Sequence, residues 1–194
     1  MTLRYDTRSR VSTYTQSWVS NADPDFGAFE SIATTTVGSG GQATITFSSI
    51  PSTFKHLQLR CLARGSTGTQ GAQNRMTLNS DSATNYSFHR LFGDGGSAGS
   101  SGAANETYAN GGINIGASSL ANVFAASVVD ILDYANTDKY KTVRILSGFD
   151  QNGSGEVYLW SNAWRSTSAV SSITITTTAN FSQYSSFALY GIKA

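Results

Sequence analysis

From Glu30 onward, apolar and polar side chains alternate in short runs broken by Gly, Asn, Asp, Ser and Pro. A period of two puts successive side chains on opposite faces of a strand, so each run reads as a half-buried β-strand. The clearest is His56 to Arg64, with Leu57, Leu59, Cys61 and Ala63 on one face and Gln58, Arg60 and Leu62 on the other. Tyr86 to Phe92 places Tyr86, Phe88, Arg90 and Phe92 together. Lys141 to Phe149 turns Val143, Ile145 and Phe149 inward, Ser171 to Thr177 turns Ile173 and Ile175, and Phe187 to Ile192 closes the chain. Val123 to Leu132 is apolar enough for a helix, but its Val and Ile and the turn-forming Asp133 to Asp138 favour a strand. Arg75 to Leu78, Ile113 to Ile115 and Val157 to Trp160 are shorter strands.

The punctuation between runs predicts their connections. Ile32–Val37 and Ala43–Phe47 flank Gly38-Ser39-Gly40-Gly41 and predict a hairpin. Asp150-Gln151-Asn152-Gly153 predicts a tight turn, because Asn and Gly accept positive φ. Gly93 to Ala104 is rich in Gly and Ser and predicts a mobile loop. Roughly nine or ten short strands at this spacing indicate an all-β, antiparallel β-sandwich or barrel. The long loops favour a jelly-roll-like sandwich.

Residues 1–29 depart from this pattern. They combine Arg4, Arg8 and Arg10 with Tyr5, Tyr14, Trp18, Phe26 and Phe29, without helical period or clean alternation. The segment reads as a floppy terminal tail or as an extended N-terminal arm that orders on a partner, and the arm is preferred because aromatics are scarce in disordered tails. Arg4, Tyr5, Arg8, Arg10, Tyr14 and Trp18 are its candidate partner-binding residues. The division is then an arm over 1–29 and a β-sandwich domain over 30–194.

Composition narrows the function classes. Charged residues are 13% of the 194, and 13 basic against 12 acidic residues give a net charge of +1. A nucleic-acid binder gathers a basic excess on one face, and the body of the chain shows none. No run approaches the ~20 apolar residues of a membrane helix. The start, MTLRYDTRSR, lacks the apolar core of a secretory signal, which points to synthesis in the cytoplasm. Cys61 is the single cysteine, so no intramolecular disulfide is expected, and its place in an alternating run makes it a small core residue.

Candidate chemistry is thin. His56 and His89 have no Cys, His or carboxylate at ligand spacing, so neither a metal nor another cofactor is expected. Serines are common, but none sits in a Gly-x-Ser-x-Gly elbow between strand and helix. The Gly-rich stretches lack the Lys and helix of a phosphate loop. Asp150 to Gly155 spaces oxygens like a calcium loop, but Ser161 stands where the bidentate acid belongs. The expectation is therefore no enzyme. Tyr158, Trp160 and Trp164 form the densest aromatic group. Such rings stack on glycans at a loop edge or fill a core or subunit interface, and core or interface is the preferred reading.

Several segments together carry a resemblance. They are Phe29 to Thr34, Ile50 to Arg60, Asn85 to Leu91, Val129 to Asn136, Lys139 to Thr142, and the ending Tyr184 to Lys193. On them the chain, over about residues 29–194, resembles small virion structural proteins of tailed bacteriophages from aquatic and cyanobacterial hosts. The resemblance implies a virion location and partners in the same particle, either the major capsid protein or tail proteins. It fits a capsid decoration (cement) protein gripping the head through its arm, or else a tail-fibre or receptor-binding module touching host glycans. Such proteins are commonly symmetric homo-oligomers, and a trimer at a capsid symmetry point is the expected form.

Overall fold

The computed structural model describes residues 28–193. Over these the chain forms twelve β-strands in two antiparallel sheets. In chain order they are β1 (Phe29–Thr36), β2 (Gln42–Phe47), β3 (His56–Ala63), β4 (Gly71–Leu78), β5 (Tyr86–Gly93) and β6 (Ala98–Glu106). Then follow β7 (Ala109–Ile115), β8 (Ala125–Leu132), β9 (Lys141–Asp150), β10 (Gly155–Trp164), β11 (Ile173–Phe181) and β12 (Ser186–Ile192).

One sheet has the order β1-β12-β3-β8-β9-β10-β5-β6 and the other β2-β11-β4-β7. Eight of these strands make a jelly roll. Four, β1-β12-β3-β8, face the other four, β2-β11-β4-β7, and successive members of the set lie in opposite sheets except β4 and β7, which pair with each other. The remaining strands are two inserted hairpins, β5-β6 and β9-β10, joined through the β10–β5 pairing. They extend the first sheet past the edge of the second.

The core lies between the sheets. Leu57, Leu59, Cys61 and Ala63 of β3 and Val129 and Ile131 of β8 meet Ile45, Phe47, Met76, Leu78, Ile173 and Ile175 of the small sheet, all buried. Burial drives the Cys61 thiol pKa up to about 12, as befits an inert core residue.

The small sheet ends at β7 for a polar reason. An edge strand inside a sandwich would strand its free N–H groups away from water. Here side chains of the large sheet take them: Asn162 Oδ1 accepts from Asn110 N–H at 3.0 Å, and Ser147 Oγ accepts from Ile113 N–H at 3.0 Å. Ser147 and Ser127 hydroxyls are in turn 2.6 Å apart. Gly112, at φ +91°, makes this approach possible, since a Cβ there would lie 2.3 Å from Ser127 Oγ.

Two sequence expectations are corrected. Ile32–Val37 and Ala43–Phe47 are not hairpin partners: β1 pairs with β12 and β2 with β11. The Gly38–Gly41 turn carries the chain between sheets, because alternation marks a strand but not its neighbour. Second, Gly93 to Ala104 is a loop only at Asp94–Ser97, where Asp94 Oδ1 accepts from Gly96 and Ser97 N–H. Gly93 ends β5, and Ala98 to Ala104 belong to β6, paired along β5. The Gly, Ser and Ala side chains of β6 give no hydrophobic signal, and the backbone ladder holds it. The strand count is accordingly twelve rather than nine or ten. The Asp150–Gly153 turn matches expectation: Gln151 N–H donates to Ser154 O, and Asn152 and Gly153 have φ +62° and +112°.

Candidate functional site

The extension carries two surfaces, one on each face of the large sheet. On the inner face, the β10–β5 register sets Tyr158 opposite Phe92 and Trp160 opposite Arg90. Trp160 and Tyr158 stack at 4.6 Å and 8°, and Tyr158 and Phe92 at 5.6 Å and 21°. The Arg90 guanidinium lies 5.1 Å from the Phe92 ring centroid and 5.8 Å from that of Tyr158. Phe92 can lie flat across β6 because Gly99 is beneath it, where a Cβ would come within 2.5 Å of Cζ.

Two polar contacts fix this layer. Arg90 Nε donates to Ser101 Oγ at 2.7 Å, and Tyr158 Oη donates to Glu156 Oε2 at 2.8 Å. Burial, and then the bond and charge of Glu156, push the Tyr158 pKa up to about 12. A cleft of about 280 Å³ separates these groups from the small sheet, lined by Arg90, Glu156, Tyr158 and Trp160 on one side and Gln70, Gln73 and Ile113 on the other. Trp160 is buried, and its Nε1–H has no acceptor among the described residues.

Trp164 stands apart from this group. It is buried against Tyr86 at a centroid distance of 6.3 Å, and its Nε1–H donates to Asp81 Oδ2 at 2.7 Å. Its place is structural: it ties the end of β10 to the β4–β5 turn. Of the three aromatics singled out in the sequence, two come together and the third serves the fold. Arg4, Tyr5, Arg8, Arg10, Tyr14 and Trp18 lie outside the described residues.

The outer face is a different surface. Strand register aligns Val128, Leu146, Leu159 and Leu91 in one row across β8, β9, β10 and β5. A parallel row runs Leu62, Ala126, Gly148 and Val157. Leu91, Leu146, Val157, Leu159 and Leu62 are each at least half exposed. Beside the first row is a shallow trough of about 550 Å³, with Leu91 and Leu159 on one side, His89 and Arg144 on the other, and Gly102 and Ser161 among its lining. His89 thus faces outward. His56 has a local task, its Nδ1 accepting from Asp133 N–H at 2.9 Å.

Sequence reasoning missed Arg90, Glu156 and Gln73 as neighbours, because they come from three separate strands or strand ends. A signal for Arg90 was present: a charged residue on an otherwise aromatic strand face. Leu62 on the polar face of its strand was the matching signal for the outer surface. No protein-family model matches the chain, and no curated protein matches its sequence.

Proposed function

We propose that the chain is a bacteriophage virion structural protein, a capsid decoration protein whose β-sandwich docks on the shell while its N-terminal arm adds grip. The observation that carries this reading is the exposed aliphatic surface built from Val128, Leu146, Leu159, Leu91, Val157 and Leu62. Six aliphatic residues clustered on five adjacent strands make an aliphatic strip, bordered by Arg60 and Arg144, which suits a protein partner rather than a small ligand. The family resemblance of residues 29–194 supports a partner within the same particle.

The test is co-sedimentation of the purified full chain with separated heads and tails of the phage that encodes it. Heads are expected to bind it saturably. Leu146→Lys together with Leu159→Lys removes two anchors at roughly 1 kcal/mol or more each, weakening binding by about thirtyfold or more. Deleting residues 1–25 is expected to weaken it independently. Binding to tails alone, or undiminished head binding by both variants, would overturn the proposal.

A further inference from the structure

The inner cleft brings two opposite charges to one lining without pairing them. Arg90 and Glu156 line the same cleft, on adjacent strands, yet they form no ion pair with each other. Each is held by a neutral partner instead, Arg90 Nε by Ser101 and Glu156 Oε2 by Tyr158. The register sets Arg90 opposite Trp160, with the Tyr158–Phe92 pair between it and Glu156. Fixing them apart keeps the guanidinium Nη groups and the second carboxylate oxygen open, and the parallel ring stack beneath Arg90 holds its plane still.

The remaining lining follows the same logic. Gln70 and Gln73 bring amides that both donate and accept. Trp160, Tyr158 and Ile113 give an apolar wall. A ligand matching this set must offer acceptors and donors in close alternation, carry little net charge and present an apolar flank. Vicinal hydroxyls around a pyranose ring do so, and the C–H groups of the ring supply the flank. About 280 Å³ sits near the lower end of small-ligand pockets (roughly 300–1,000 Å³), enough for one sugar ring with the rest of the glycan leaving through the mouth.

We infer that the cleft between the β4 end of the small sheet and the β5–β10 extension is a saccharide-binding site for one neutral pyranose unit of a surface glycan. Glu156 accepts from two adjacent hydroxyls, while Arg90 and Gln73 donate to ring or hydroxyl oxygens. Tyr158 is a positioning residue that holds Glu156. The site lies on the face opposite the docking strip, so a particle-bound copy keeps it available.

The full chain is to be applied to a glycan array that includes host surface polysaccharide, and the best-bound glycan titrated by calorimetry. Glu156→Gln and Gln73→Ala are each expected to cut affinity about tenfold, the loss of one strong hydrogen bond, with the melting temperature unchanged. No glycan bound above background, a charged amino-acid-like ligand preferred over every neutral glycan, or a glycan bound equally by both variants would overturn the inference. Both variants are expected to co-sediment with heads like the wild type, so failure here is distinguishable from failure of the docking proposal.

Discussion

Lys141 is buried at the start of β9 and has no carboxylate partner among the described residues. Its Nζ donates to three backbone carbonyls, Asn136 O at 2.6 Å, Lys139 O at 3.0 Å and Thr167 O at 3.1 Å, using every N–H it has. Burial, with the nearby Lys139 charge, lowers its pKa. Lys141→Met keeps the stem and leaves three carbonyls short of a donor. The expected cost is about 2–3 kcal/mol, or roughly 4–12 °C in melting temperature for a domain of this size, read by thermal unfolding. Asp133 works through charge. Lys139 and Lys55 both contact its carboxylate, the latter at 2.9 Å, and hold its pKa down to about 2. The unfolded chain protonates this group near 3.8, so its contribution is complete above that pH and is lost as pH falls towards 2. Asp81 adds to the same slope: burial acts to raise its pKa, but bonds from Asn85, Trp164 and Ala83 outweigh it. Asp133→Asn is expected to flatten the acid limb of stability against pH between about 4 and 2, measured by urea unfolding at stepped pH. An unchanged limb would show that the pair of lysines contributes nothing there.

At the scale of elements, glycines decide which strands can lie close. In β12, Gly191 has the Phe54 ring directly over it, and a Cβ would fall 2.3 Å from two ring carbons. Phe54 in turn sits beside Tyr134, whose hydroxyl donates to Pro51 O and accepts from Phe54 N–H at 3.4 Å. Gly191→Ala therefore pushes Phe54 out of its place and is expected to cost about 1–3 kcal/mol, whereas an exposed glycine with open space around it, such as Gly38, tolerates Ala within about 0.5 kcal/mol. Paired unfolding curves of the two variants check this. The strands with bulky alternation, β3, β9 and β12, were legible because their buried faces repeat every second residue. β6 was not, since its Gly, Ser and Ala residues carry almost no apolar contrast and are held by ladder bonds to β5. β7 was seen only in part. Buried along its whole length and containing two asparagines and two glycines, it has neither alternation nor a hydrophobic run.

At the scale of the molecule, the inserted hairpins give the large sheet two distinct surfaces, one on each face. Beyond β7 the small sheet no longer covers the inner face, so the aromatics there stack on one another and a cleft opens. The outer face stays flat and aliphatic across the same strands. The two surfaces lie on opposite faces of one sheet, so a change in the exposed side chains of one is expected to leave the other intact. Leu146→Lys with Leu159→Lys replaces exposed side chains only, and the melting temperature is expected to stay within about 2 °C of the wild type while head binding falls.

The amino-acid sequence by itself determined the all-β class, the inward face of most strands, the buried state of Cys61 and the Asn-Gly turn. Each follows from chemistry within a few residues: a two-residue period, a side chain's cost in water, or a tolerance for positive φ. Tertiary structure alone decided that β1 and β2 part company, that Trp164 anchors a turn through Asp81 while Trp160 walls a cleft, and that Leu62, Leu91, Leu146 and Leu159 share one surface. Those facts depend on which strands become neighbours. Pairing is chosen by long-range closure of the sandwich, and alternation along one strand is the same whichever partner lies beside it.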